Sequence, residues 1–204
     1  MTAVRKDNTK RKYKPLLIIV SGPSGVGKDS VIEQIRVLNK NRHFAITVTT
    51  RSPRTNEING KDYTFVSKNA FYKMLKRNEM LEWAKVYGNL YGVPNTQVLD
   101  HMENGRDVMV KTDVQGAATI KNIVPNSVSI FLAPPSIVDL EKRLKGRMTE
   151  SDCDKSLRLK VSQSEMEEAL KFDYIVLNHH DKIDETVIEI ESIISKERSK
   201  HISK

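Results

Sequence analysis

The stretch Ser21-Gly22-Pro23-Ser24-Gly25-Val26-Gly27-Lys28-Asp29-Ser30 constrains the fold more than any other part of the chain. Gly22, Gly25 and Gly27 let the backbone turn tightly with its N–H groups pointing inward. Those donors, backed by a helix N-terminus, attract an anion. The flanks supply the setting. Leu16–Val20 is a short apolar run rich in Ile and Val, which reads as a buried strand, and Val31, Ile32, Ile35 and Leu38 mark one face of a helix predicted from Lys28 to Asn39. Strand, glycine loop and helix in this order is the context in which G-x-x-x-x-G-K-[ST] cradles nucleotide phosphates, with the lysine reaching the β- and γ-phosphates.

One position breaks the pattern. Asp29 stands where a hydroxyl normally touches Mg²⁺, and Ser30 offers a hydroxyl one residue later. A carboxylate can take that ion itself, directly or through water, because Mg²⁺ prefers oxygen ligands. It can equally repel nucleotide phosphates. The local sequence leaves both readings open.

Strand-like and helix-like segments alternate further on. Asp107–Lys111, Ser127–Leu132 and Asp173–Leu177 read as strands. Helical residues follow to about Ile123, from a Ser136 cap to about Lys145, and along Ile183, Val187, Ile190, Ile193 and Ile194. This alternation predicts an α/β fold with a central parallel sheet flanked by helices. Residues 44–95 differ: Tyr63–Val66, Met80–Val86 and a Gly88-Asn89 turn around one short helix suggest a small mixed insert. Residues 146–160 are polar and highly charged, as a mobile lid would be.

A net charge of +8 invites a nucleic-acid reading, but its placement argues against one. Residues 1–15 carry +5 and residues 196–204 carry +3, while the 24 bases and 24 acids between them cancel. The excess reads as two solvated basic tails flanking a domain over 16–195. The single cysteine, Cys153, permits no internal disulfide and fits a reducing, cytoplasmic setting. No apolar run approaches a membrane span.

The segments "SGPSGVGK", "TTRSPRTNEINGKDYTF", "EWAKVYGNLYG", "DVQGA", "FLAPPS" and "RLKGRMTES" occur in this order. Together they closely resemble the guanylate kinase family over about residues 16–195. The resemblance implies a phosphate-loop kinase with a GMP-binding insert and a lid, acting on ATP and GMP with Mg²⁺, as a monomer or homodimer. It implies that Gly22, Pro23, Ser24, Gly25, Val26, Gly27, Lys28, Asp29 and Ser30 bind ATP, with Asn178 near the adenine and Ser30 or Asp29 at the metal. Arg51, Arg54, Tyr63 and Tyr91 match residues that hold the GMP phosphate, Glu82 and Asp113 match the guanine-reading carboxylates, and Thr47 falls near the base. Lys28, Arg51, Arg143, Arg147 and Arg158 match residues that neutralise the transferred group. Two forked guanidiniums suit a dianion. A carboxylate accepts from guanine N1–H and its amine together, whereas adenine offers only an acceptor at N1.

Four positions depart from the pattern. In the family the Asp29 position is serine or glycine, the latter with a hydroxyl residue next, as Ser30 is here. Val93 stands where Ser or Thr is usual near guanine, which implies weaker base recognition. Lys111 stands where an acid is usual, and on a parallel sheet it lies near the loop, so Asp29 and Lys111 are expected to pair. Met148 replaces a usual glycine in the lid. Two other functions fit the same outline: a kinase acting on another phosphorylated acceptor such as ribose 1,5-bisphosphate, and a non-catalytic protein-binding module. Glu82 and Asp113 argue against the first, and the complete loop argues against the second.

Overall fold

The computed structural model describes residues 14–145, 161–179 and 181–202. The expected lid, with Arg147, Met148, Cys153 and Arg158, lies outside the described residues, as does most of the N-terminal tail.

The main sheet has five parallel strands in the order β2-β7-β1-β8-β9: His43–Phe44, Val108–Lys111, Leu17–Ser21, Val128–Ala133 and Tyr174–Leu177. β1, β7 and β8 are almost wholly buried because helices cover both faces, which is why they read as continuous apolar runs. One apolar cluster joins Ile18, Val20, Ile130 and Leu132 to Val31 and Ile35 of α1 (Lys28–Leu38) and to Val187, Ile190 and Ile194 of α7 (Ile183–Ile202). On the opposite face Leu17, Ile19, Val108 and Val110 pack against Val98 of α3 (Asn95–Glu103) and against Ala117 and Ile120 of α4 (Val114–Ile123). Each such Val, Leu or Ile side chain contributes about 1.5–3 kcal/mol by leaving water.

The insert is a second sheet ordered β4-β3-β6-β5 (Thr64–Phe65, Val48–Thr49, Asn89–Pro94, Met80–Val86), packed on α2 (Lys68–Lys76) through Phe71. Its β5–β6 hairpin turns at Tyr87-Gly88, not Gly88-Asn89. Both residues hold positive φ (47° and 78°), as a two-residue turn matched to strand twist requires, so Asn89 already opens β6. Two short strands, β2 and β3, carried too little pattern to be read from sequence.

Ser136 caps α5 (Ile137–Lys145) as expected: its hydroxyl accepts from Asp139 N at 3.1 Å and donates to Asp139 Oδ2 at 2.7 Å. Residues 161–167 form α6, continued by a 3₁₀ turn over Glu168–Lys171. The C-terminal end corrects the sequence reading. Residues 196–202 are not a tail but the last turns of α7, which Arg198 ties to the buried Asp107 ahead of β7.

Candidate active site

β1 delivers the glycine loop to the C-terminal edge of the sheet, between β7 and β8. Gly22 has φ 141°, and a Cβ there would lie 2.3 Å from Leu132 O, so only glycine lets the loop leave the sheet here. Gly27 then caps α1 in the left-handed conformation. The loop is braced from behind. Asn178 Nδ2 and Arg143 Nη1 both donate to Val26 O, at 2.7 and 2.8 Å, and Arg143 Nη2 donates to Asn178 O at 2.8 Å. Asn178 Oδ1 accepts from Thr186 Oγ1 at 3.1 Å.

In front of the loop lies a cleft of about 210 Å³. Ser24 to Ser30, Thr47, Arg51, Arg54, Tyr63, Val86, Tyr87, Tyr91, Lys111, Thr112, Asp113 and Glu165 line it. Lys28 Nζ donates to Gly22 O at 2.5 Å and Pro23 O at 3.2 Å, folding back over its own loop. Burial holds this ammonium below the ordinary lysine range, against the pull of Glu165 and Asp29. Across the cleft Arg51 forks onto Glu57, with Nη1–Oε2 at 2.9 Å and Nη2–Oε1 at 2.8 Å, and Arg54 N donates to Glu57 at 2.7 Å. Arg51 also lies 5.3 Å from the Tyr63 ring centroid. Burial opposes its charge, but Glu57 and Tyr91 more than offset that and raise its pKa.

The expected Asp29–Lys111 pair is present: Lys111 Nζ donates to Asp29 Oδ1 at 2.5 Å. The ammonium also sits 4.1 Å from the Tyr63 ring centroid. Register explains the contact, because Lys111 ends β7 directly beside Val20, the residue before the loop begins to turn.

Glu82 stands one layer behind the cleft wall and does not line it. It is 3% exposed; Oε1 accepts from Thr112 Oγ1 at 3.1 Å, and Oε2 has no hydrogen-bond partner among the described residues. Burial first, and the Asp113 charge second, push its pKa up to about 7 against the Thr112 bond. Gly116 makes room for it: a Cβ there would lie 2.1 Å from Thr112 Oγ1 and 2.8 Å from Glu82 Oε2. Asp113 Oδ1 caps α4 by accepting from Gln115 N and Gly116 N at 2.8 and 2.9 Å, while the residue also lines the cleft. Thr47 Oγ1 donates to Lys111 O at 3.3 Å.

Most sequence-predicted residues therefore line one cleft; Gly22, Pro23 and Glu82 do not, and three further differences stand out. Asn178, 4% exposed, and Arg143 act here as braces of the loop and do not line the cleft. Val93 is fully buried in the cluster that joins β6 to the main sheet, so its side chain packs against apolar neighbours and does not line the cleft. Arg147 and Arg158 fall outside the described residues. Sequence reasoning missed Glu57 and Glu165. Glu165, on α6, accepts from Ser24 N at 3.3 Å, and its pKa is raised by burial against the Lys28 charge. A carboxylate three residues past Arg54 was the only signal for Glu57, and Glu165 gave none.

A parallel sheet with an anion-binding loop at its edge, facing a second cluster of cations and phenols, defines a phosphate-loop protein of the nucleotide phosphotransferase class. Residues 14–197 match the family described as Guanylate kinase. The chain is 42% identical over 185 residues to the guanylate kinase of Clostridium tetani, covering 91% of this chain and 88% of that one. It is 40% identical over 188 residues to "Guanylate kinase 2, chloroplastic/mitochondrial" of Oryza sativa, covering 92% of this chain but 66% of the rice protein. A crystal structure of guanylate kinase from Anaplasma phagocytophilum superposes with TM-score 0.76 at 31% identity, covering 92% and 88% of the two chains. The chain belongs to the guanylate kinase family.

Proposed function

We propose that this protein transfers the γ-phosphate of ATP to GMP, and to dGMP, giving ADP and the diphosphate. One observation carries the reading: two anion seats share one cleft, the glycine loop with Lys28 on one side and Arg51, Arg54, Tyr63 and Tyr91 on the other. The first suits the ATP polyphosphate and the second a nucleotide monophosphate. A GMP phosphate oxygen forms the new bond to the γ-phosphorus as the bond to the β,γ-bridging oxygen breaks, and the electron pair leaves on ADP. The side chains work by holding the two phosphates in line and by neutralising charge, with no covalent intermediate.

Glu82 and Asp113 read guanine in this scheme. The buried Glu82 Oε2, an acceptor with no hydrogen-bond partner among the described residues, suits a base that brings two donors. The reading requires the insert to close far enough to bring Glu82 to the cleft wall, a movement typical of such enzymes. By the family resemblance, Arg147 and Arg158, which lie outside the described residues, neutralise the transferred group in this scheme.

Ser30 and Asp29 line the cleft, and no cluster of three His, Cys, Asp or Glu capable of holding a metal occurs among the described residues. That donor set fits Mg²⁺, which takes one or two protein oxygens and completes its shell with phosphates and water. Ser30 or Asp29 would hold the ion, which would supply charge neutralisation at the β- and γ-phosphates. No helix among the described residues is long and apolar enough to cross a membrane, and a cytoplasmic location, with 16–195 as the catalytic domain, is part of the same proposal.

The test is ADP release from ATP and Mg²⁺ with GMP, dGMP, AMP, UMP or no acceptor. We expect turnover with GMP and dGMP alone, lost in Lys28→Ala. Equal turnover with every acceptor overturns the guanine assignment.

A further inference from the structure

Arg51 and Lys111 approach the same aromatic ring. The Arg51 guanidinium carbon is 5.3 Å and the Lys111 ammonium 4.1 Å from the Tyr63 centroid. Two cations this close repel unless each has an anion, and each does: Glu57 grips Arg51, and Asp29 meets Lys111. The two pairs differ in how firmly they are held. Arg51 and Glu57 are comparably sheltered, with side chains 15% and 16% exposed. In the other pair Lys111 is 16% exposed and Asp29 is 65% exposed. The lysine is fixed by β7 and by Tyr63, while the acid is a largely solvated side chain on the first turn of α1. A pair so exposed on one side contributes little to stability, too little to explain a sheltered ammonium that lines the cleft.

We propose that Lys111 is a phosphate-binding residue of the acceptor site: Asp29 holds its ammonium in the empty cleft, and the GMP phosphate takes that place when it arrives beside Arg51, Arg54 and Tyr63. This rests on the GMP reading above. The ammonium has three donors; the acid and the ring face use only part of that capacity, and the group lies between the phosphate loop and the cationic cluster. Burial opposes its charge, but Tyr63 and Asp29 more than compensate, so it stays protonated and ready to donate. The family resemblance places an acid here, so the assignment belongs to this chain's own pair of departures.

The experiment is calorimetric titration of the full chain with GMP and with guanosine, which shares the base but lacks the phosphate. Lys111→Met is expected to weaken GMP about 10- to 100-fold, the size of one hydrogen bond to a charged group, and to leave guanosine within about twofold. Unchanged guanosine binding also shows that the variant is folded; Lys111→Gln carries the same test if the methionine variant is not. Asp29→Asn removes the competing anion and is expected to bind GMP as tightly as the parent or more tightly. A merely structural ion pair predicts the opposite pattern, with Lys111→Met and Asp29→Asn losing GMP affinity together. That result, or unaffected GMP binding in both Lys111 variants, overturns the assignment of Lys111 and leaves the guanylate reading intact. Failure of the parent chain to bind either GMP or guanosine, while it binds ATP, overturns the reading itself and the proposal with it.

Discussion

The burial of Glu82 makes stability depend on pH. Its carboxyl has a folded pKa of about 7 because burial and the Asp113 charge oppose ionisation. The unfolded chain releases the same proton near the model-peptide value of about 4.3. Between these two values the native state binds more protons than the unfolded state, so stability falls as pH rises through this window and is flat above it. At 1.36 kcal/mol per unit, the loss comes to roughly 3 kcal/mol for a group this buried. The perturbation is Glu82→Gln, which keeps the shape and the acceptor for Thr112 but cannot ionise. Its own amide costs some stability, but by an amount independent of pH, so the informative quantity is the difference between variant and parent. In thermal melts without nucleotide at pH 4.5 to 8, the parent should lose ground to Glu82→Gln by about 6–12 °C, given roughly 2–4 °C per kcal/mol for a chain of this size. Saturating GMP at pH 8 should narrow or reverse the gap, because guanine donors satisfy the carboxylate and not the amide. Parallel melting curves across the whole range would refute the reasoning, since they mean Glu82 titrates normally and is not held unpartnered.

Three further outcomes follow from the packing. Gly116→Ala places a Cβ 2.1 Å from Thr112 Oγ1 and 2.8 Å from Glu82 Oε2, so it should destabilise by about 1–3 kcal/mol in denaturant melts and raise the KM for GMP more than that for ATP. Val93→Ser restores the hydroxyl usual in the family but buries it in a fully apolar cluster; it should cost about 2 kcal/mol or more and leave GMP affinity no tighter by calorimetry. Asn178→Ala removes the bond to Val26 O and leaves Thr186 without that acceptor. It should destabilise by about 1–3 kcal/mol and weaken ATP binding while sparing GMP.

The glycine loop, its strand and its helix were legible because three local signals agreed: an apolar strand run, glycines at the turns and an apolar stripe at helical spacing. The Asp29–Lys111 contact was also legible, since both residues fall at the same edge of a parallel sheet. What sequence could not give were facts of depth. Val93 sits where a polar residue is usual, and only the structure shows that its side chain joins the core between the insert and the main sheet. Asn178 follows a strand near the loop, but its role as a brace depends on Val26 O and Thr186 meeting it from distant parts of the chain. Glu165 lies on a short helix that also carries Glu167, and nothing local distinguishes the carboxylate that reaches Ser24 from that exposed neighbour. The α7 extension to Ile202 was masked by basic composition: charge suggested a tail, while the Arg198–Asp107 contact that anchors the helix spans 91 residues.

The most direct test follows the label in γ-labelled ATP incubated with the protein, Mg²⁺ and GMP, with the products separated by chromatography. The account predicts label in the β-phosphate of GDP and almost none in inorganic phosphate. Label released as inorganic phosphate, or retained in ATP while GMP is bound, would contradict it.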